Sequence, residues 1–343
     1  MLSIVTPSGA GPLIDVRDLH VGFDRPARSI GGRARRLRAV DGVNLTIDRG
    51  RTLGLVGESG SGKTTLGRAI LRLVDPAGGR VLFGGQDVFG ASSGELHRMR
   101  RRMRIVLQDP LGSLNPRMTI GQAVAEPFQI HRVGTRRERR TRVEALLERV
   151  GLRSSHADRY PHELSGGQCQ RVGIARAIAL DPEFIVLDEP VSALDVSIQA
   201  QILNLLSDLR DDLGLTYLFI THDLAVAKRF SDRIAVMYRG RIVETADSAS
   251  LYSNAQHPYT QALLAAVPVP DPTKRRQPTA TCKEADGGPV VEDGCSFSGR
   301  CPHVDETCRR SQPQLVTAPY LATDHLVACH YPAATRSEGS GAV

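Results

Sequence analysis

The chain has 343 residues, enough for roughly two domains with a sizeable buried core, which excludes a fibre or a disordered tail. Apolar residues make up 41% and aromatics 4%, with no Trp. No run reaches the ~18 consecutive apolar residues of a membrane-spanning helix. The first residues, MLSIVTPSGAGPLIDVRD, lack a signal-peptide pattern, so the expected location is cytoplasmic. A net charge of +7 suggests phosphate-bearing partners. However, residues 25–38 hold six Arg and 98–104 hold five, with no acid in either run, and together these exceed the whole net charge.

In chain order, Leu13 to Phe23 and Ala39 to Asp48 read as extended segments, the second alternating through Val40, Val43, Leu45 and Ile47, with an Arg-, Gly- and Pro-containing loop between them. Thr52 to Val56 is a short apolar strand that enters a Gly-rich turn. A helix is predicted over Lys63 to Val74, ended by Asp75-Pro76 and Gly78-Gly79. Further strands are expected at Arg104 to Leu107, Phe184 to Leu187, Thr216 to Ile220 and Ile234 to Met237, with helical patterns between them, hence an α/β fold with a largely parallel sheet. From 113 to about 171 the pattern turns helical, including a charged amphipathic stretch, Thr135 to Val150, which reads as an inserted helical subdomain. After about Ala266 a Pro- and Thr-rich stretch reads as a linker to a cysteine region, and 334–343 read as a frayed tail. No repeat of solenoid length is visible.

Three motifs carry chemistry. Gly57-Glu58-Ser59-Gly60-Ser61-Gly62-Lys63-Thr64 fits the phosphate-loop pattern and lies between a strand and a helix, where backbone N–H groups and the positive helix end cradle phosphates. In that pattern Lys63 reaches the terminal phosphates and the Thr64 hydroxyl coordinates Mg²⁺; Thr65 follows in the same turn. The chain contains 40 Arg and only four Lys, so a Lys here stands against the composition. Next, FIVLDEP delivers two carboxylates at a strand end, with Asp188 placed to hold Mg²⁺ through water and Glu189 to act as general base on an attacking water. Finally, Leu164-Ser165-Gly166-Gly167-Gln168 starts a helix that Ser165 is suited to cap, and its glycine pair permits close approach to an anion.

These motifs in this order resemble the ATP-binding cassette ATPases over about Leu13 to Leu264. The resemblance implies a RecA-like phosphate-loop core, an antiparallel β subdomain and an inserted helical subdomain, organised as an ATPase unit over 13–265 and a C-terminal extension over 266–333. It implies that Gln108 couples the metal and γ-phosphate to the helical subdomain and a membrane partner, that Asp195 communicates across an ATPase dimer, and that His222 contacts the γ-phosphate. Phe23 falls where the family places an aromatic on adenine; a core role is the alternative. In the family, the phosphate loop of one subunit faces the LSGGQ helix of another, so this single cassette implies a second ATPase subunit, identical or not. Cys169 follows LSGGQ where the family has a polar or charged residue, which places an oxidisable side chain beside the composite site.

QDPLGSLNPRMTI, PVSALDVSIQAQILNLL and QHPYTQALLAAVP resemble the peptide and nickel importer branch. The last reads as a short helix with Pro258 in its first turn and an apolar face of Leu263, Leu264 and Val267, packed on the core. The branch implies two transmembrane permease subunits and, indirectly, an extracytoplasmic substrate-binding protein, with this chain at the inner face of the membrane. A soluble ribosome- or nucleic-acid-acting relative would carry two cassettes or a long coiled-coil insertion; neither is present, so no nucleic-acid partner is expected. Cys295, Cys301, Cys308 and Cys329 have spacings unlike a zinc ribbon. Some branch members hold a [4Fe-4S] cluster in this region, which four thiolates would suit; cysteines without a cluster in a small lobe are the equal alternative. Cys169 and Cys282 are read as unliganded.

Overall fold

A computed structural model describes residues 11–25, 35–267, 293–317 and 324–333. The Arg-rich stretch 26–34, most of the Pro-rich linker, Cys282 and the terminal segment 334–343 lie outside the described residues. The chain opens with β1 (Ile14–Arg25) and β2 (Arg35–Ile47), paired antiparallel with Ile14 opposite Ile47 and Val16 opposite Leu45. Then come β3 (Thr52–Val56), α1 (Lys63–Ile70), β4 (Gly78–Phe83), β5 (Gln86–Asp87), α2 (Ser93–Arg102) and β6 (Met103–Val106). α3 (Ile120–Ile130), α4 (Arg136–Arg149) and α5 (Gly166–Ile178) follow, then β7 (Phe184–Asp188), α6 (Val196–Leu213), β8 (Thr216–Thr221), α7 (Leu224–Phe230), β9 (Arg233–Tyr238) and β10 (Arg241–Asp247). The chain closes with α8 (Ser248–Ser253), α9 (Pro258–Ala265), α10 (Glu306–Arg310), β11 (Val316–Thr317) and β12 (Leu326–Val327).

Two sheets form. One is antiparallel, in the order β2-β1-β4-β5; the other has eight strands in the order β11-β12-β10-β9-β3-β8-β7-β6. The run β9-β3-β8-β7-β6 is parallel throughout, so all five strands end at the same edge. The central strands β3, β8 and β7 are buried on both faces, in keeping with their largely apolar sequences. Along β7, Ile185 and Leu187 face the core shared with the helical subdomain, whereas Phe184 and Val186 face α1 and the antiparallel sheet. β8 repeats the alternation with Tyr217 and Phe219 on one side and Leu218 and Ile220 on the other.

The helical subdomain is present. α3, α4 and α5 each begin with a reciprocal capping box, Thr119 with Gln122, Thr135 with Glu138, and Ser165 with Gln168. α4 is less amphipathic than its sequence suggested, because it buries only Val143 and Leu147. α1 is shorter than expected. It stops at Ile70 because Arg72 takes a left-handed conformation (φ 50) and donates to the carbonyls of Val88 and Ala91. Gly78 and Gly79 therefore open a strand, β4, and do not terminate a helix. Among the described residues no helix is long and apolar enough to cross a membrane.

Candidate nucleotide-binding and catalytic site

β3 is buried along its whole length and feeds the loop 57–62. Gly57 and Gly62 sit at φ 155 and 107. A Cβ on Gly57 would stand 2.2 Å from the Met237 carbonyl oxygen, and one on Gly62 2.1 Å from that of Ala39. Only glycine takes this path, which is why the loop turns tightly enough to become a cradle. No side chain caps α1, so its first N–H groups are left for a ligand. Ser61 Oγ is buried and has no hydrogen-bond partner among the described residues. A buried hydroxyl without a partner is costly, and a phosphate oxygen in the cradle would satisfy it.

Lys63 is buried, and its ammonium donates to the carbonyls of Gly57 (2.7 Å) and Glu58 (2.9 Å). Burial pulls its pKa below the usual lysine value, with the charges of Glu189 and Asp188 opposing. Thr64 Oγ1 donates to Asp188 Oδ1 at 2.8 Å, so the two residues expected at the metal meet. Asp188 is pushed above the ordinary aspartate range by burial, against the Thr64 hydrogen bond.

Because the strands are parallel, their carboxyl ends bring the remaining groups to the same edge. Gln108, beyond β6, donates from Nε2 to Glu189 Oε2 at 3.0 Å, and His222, beyond β8, places Nδ1 3.4 Å from the same oxygen. Gln108, expected at the metal with Thr64 and Asp188, meets Glu189 here. Glu189 itself sits at φ 47, a conformation that costs about 1–3 kcal/mol outside glycine. It is held there by its N–H on the Ile220 carbonyl (3.0 Å) and by the Ser192 hydroxyl on its own carbonyl (3.1 Å). The strained turn aims the carboxylate between Gln108 and His222. No group of three or more His, Cys, Asp and Glu among the described residues could hold a metal ion unaided. Thr64 and Asp188 suit a Mg²⁺ whose other ligands are phosphate oxygens and water.

Ser165, Gly166, Gly167 and Gln168 form the start of α5. Ser165 Oγ accepts from the Gln168 N–H (3.3 Å), and the Gln168 side chain accepts from the Ser165 N–H (3.0 Å). Asp195 is exposed at the start of α6, next to Val196, which is 81% exposed. Among the described residues no hydrogen bond or ion pair joins these positions to the phosphate loop of the same chain. Phe23 is 43% exposed, which speaks against the core alternative. Cys169 corrects an expectation: it is fully buried, its Sγ lies 3.4 Å from the Pro161 carbonyl, and burial raises its pKa. It belongs to the helical core and not to the composite site.

The second Arg run, 98–104, is only partly available to partners. Arg102 donates to Glu183 at 2.5 Å and lies 4.6 Å over the Phe83 ring, so its charge is engaged within the fold. Cys295, Cys301, Cys308 and Cys329 do come together around one cavity of about 10 Å³, also lined by Phe297 and Tyr331. That is about the space of a single water. Burial raises the Cys295 thiol and pushes Cys308 up to about 11. As the side chains stand, a space of that size leaves no room for a [4Fe-4S] cluster among the four sulfurs.

Two residues not singled out from the sequence reach the phosphate loop. The Glu58 N–H donates to the Tyr259 hydroxyl at 2.9 Å, and Arg300 holds both oxygens of the Glu58 carboxylate at 2.9 and 3.0 Å. The signal for Tyr259 was present in the QHPYT segment, read only as a packing helix; that for Arg300 was not.

The model of the ABC transporter family matches residues 40–192, and that of the oligopeptide/dipeptide transporter C-terminal region matches 243–308. A peptide import ATP-binding protein of Brucella ovis is 50% identical over 304 residues, 89% of this chain and 94% of that protein. The oligopeptide transport ATP-binding protein AppF of Bacillus subtilis is 45% identical over 329 residues, 95% of this chain and 99% of AppF. The ATP-binding cassette MJ0796, solved as a dimer in a post-hydrolysis state with ADP and Pi, superposes with a TM-score of 0.61 at 31% identity, covering 68% of this chain and 98% of that one. Phosphate loop, paired carboxylates, signature helix and ancestry agree: the chain belongs to the ABC transporter ATPases.

Proposed function

We propose that this chain is the ATP-hydrolysing subunit of an importer that takes up dipeptides or oligopeptides, working as a peripheral protein on the inner face of the cytoplasmic membrane. The names of its relatives support the cargo class. In this reading residues 13–265 are the motor, with 113–171 as the subdomain that docks on two permease subunits, and 266–333 are an extension. The chain pairs with a second ATPase subunit, and a substrate-binding protein delivers cargo from outside.

The observation that carries the reading is the convergence of Gln108 and His222 on one oxygen of Glu189, beside the Thr64–Asp188 pair. Mg²⁺ held through Thr64 and Asp188 would neutralise charge on the β- and γ-phosphates. Lys63 exchanges its loop carbonyls for phosphate oxygens. Gln108 and His222 fix the orientation of the Glu189 carboxylate, which accepts a proton from the attacking water. Ser165 and Asp195 serve the nucleotide of the partner subunit. The cysteine lobe has a structural part here, and the purified protein should contain no stoichiometric iron or acid-labile sulfide.

The test is Glu189→Gln in the assembled transporter. Multiple-turnover hydrolysis should fall by about 10²–10⁴-fold while ATP is still bound. Hydrolysis at the wild-type rate would overturn the reading.

A further inference from the structure

Glu58, the second residue of the phosphate loop, has every polar group engaged. Its carbonyl accepts from Lys63 Nζ (2.9 Å) and the Ser61 N–H (3.2 Å), both within the loop. Its N–H is held by Tyr259 and its carboxylate by Arg300, residues 201 and 242 positions away. These two arise from separate parts of the C-terminal region yet share one aromatic cluster. The Tyr259 ring lies 4.6 Å from Tyr238 and 5.5 Å from Phe297, and the Arg300 guanidinium stands 5.9 and 5.8 Å from the same two rings. His257 accepts from the Tyr259 N–H at 3.0 Å and Pro258 opens α9, which fixes where the Tyr259 hydroxyl points.

We propose that Tyr259 and Arg300 are positioning residues for ATP binding: through Glu58 they hold the outer limb of the phosphate loop in its nucleotide-accepting shape. The inference rests on the ATPase reading above. When Lys63 leaves the Glu58 carbonyl for phosphate, only the longer Ser61 N–H contact still ties that residue within the loop, and the two outside contacts remain. A loop already held does not have to be ordered by the nucleotide, so affinity is gained without a contact to ATP. Tyr259 is 1% exposed, so its side of the contact is shielded from solvent. The Arg300–Glu58 pair is more open, with Glu58 44% exposed, so it is weaker and screened by salt.

The test measures KM for ATP and kcat in the assembled transporter, and nucleotide affinity directly in a Glu189→Gln background. Tyr259→Phe keeps the ring and removes the acceptor; KM should rise about tenfold with kcat changed less than twofold. Arg300→Gln should raise KM about threefold, Arg300→Lys should restore part of it, and the wild-type KM should approach the Arg300→Gln value at high salt. Arg300→Gln combined with Glu58→Gln should be no worse than the more impaired single variant. Wild-type KM and affinity in both Tyr259→Phe and Arg300→Gln, while Glu189→Gln still abolishes turnover, overturns the proposal and spares the ATPase reading. Equal falls in kcat with unchanged KM, or lowered thermal stability alone, assign these residues to folding and overturn it as well.

Discussion

α1 and α5 both open on glycine-rich turns, but they end differently toward solvent. α1 starts without any side-chain cap, whereas α5 closes its own first turn with the Ser165–Gln168 box. An uncapped helix start keeps N–H groups in reserve for an anion, and Lys63 supplies charge beside them. α5 has already satisfied part of its backbone, and what it offers is a hydroxyl whose oxygen accepts internally while its proton remains available. The first is suited to seat a phosphate within one chain. The second is a surface suited to complete a site that another chain supplies. α10 is a third case, closed by the Asp305 carboxylate accepting from the Cys308 N–H, and no anion belongs there.

The contrast between α1 and α5 breaks most severely if the seat does not depend on glycine geometry. Gly62→Ala places a Cβ against the Ala39 carbonyl at φ 107. It should cost about 3 kcal/mol or more in a denaturation series and abolish nucleotide binding; a stable variant that binds ATP would refute the geometry. Lys63→Ala leaves the loop but removes the charge, and kcat/KM should drop about 100-fold with little change in melting temperature. Ser165 sharpens the comparison further. Ser165→Asp caps as well as serine, so stability should hold while ATPase activity falls more than about tenfold. Ser165→Ala should lose about 1 kcal/mol of stability. If Ser165→Asp were fully active, α5 would not face phosphate.

The smallest effect concerns α10. The Tyr331 hydroxyl and the Cys308 N–H hold Asp305 down at about 2. A depressed carboxylate stabilises above its unfolded value, and that stabilisation disappears as pH falls through about 2. Protection of the Cys308 amide, taken relative to its intrinsic exchange rate, should therefore fall between about pH 4 and 2, and Asp305→Asn should be less protected at neutral pH without that step.

The assembly of the strand-end cluster was legible because its parts are local: a strand, a glycine turn and a helix within a few residues, or two carboxylates after an apolar run. Parallel pairing then brings Gln108, Glu189 and His222 together with no further instruction. What escaped was set by long-range packing. Arg72 ends α1 because carbonyls of the β5–α2 segment accept its guanidinium, and nothing in LRLVDP announces that. Cys169 turns inward because it shares a helix face with Val172 and Gly173, a spacing visible in the sequence but overridden by its place next to LSGGQ. Arg300 has no motif, since its meaning exists only through Glu58.

The final described strands have a consequence for how the chain avoids its own kind. β12 pairs with β10 through Glu244–Val327 and Thr245–Leu326, and β11 covers β12 in turn. The buried Glu244 carboxylate also takes the His325 ring at 2.7 Å together with the N–H groups of Gln256 and His257. A chain cut after α9 would keep all of its catalytic groups, yet it would expose a row of unpaired N–H and C=O groups along β10, with a buried carboxylate short of one partner. Such an edge is a template for another strand. The C-terminal residues thus act as a selvedge, the finished border that keeps the sheet from growing.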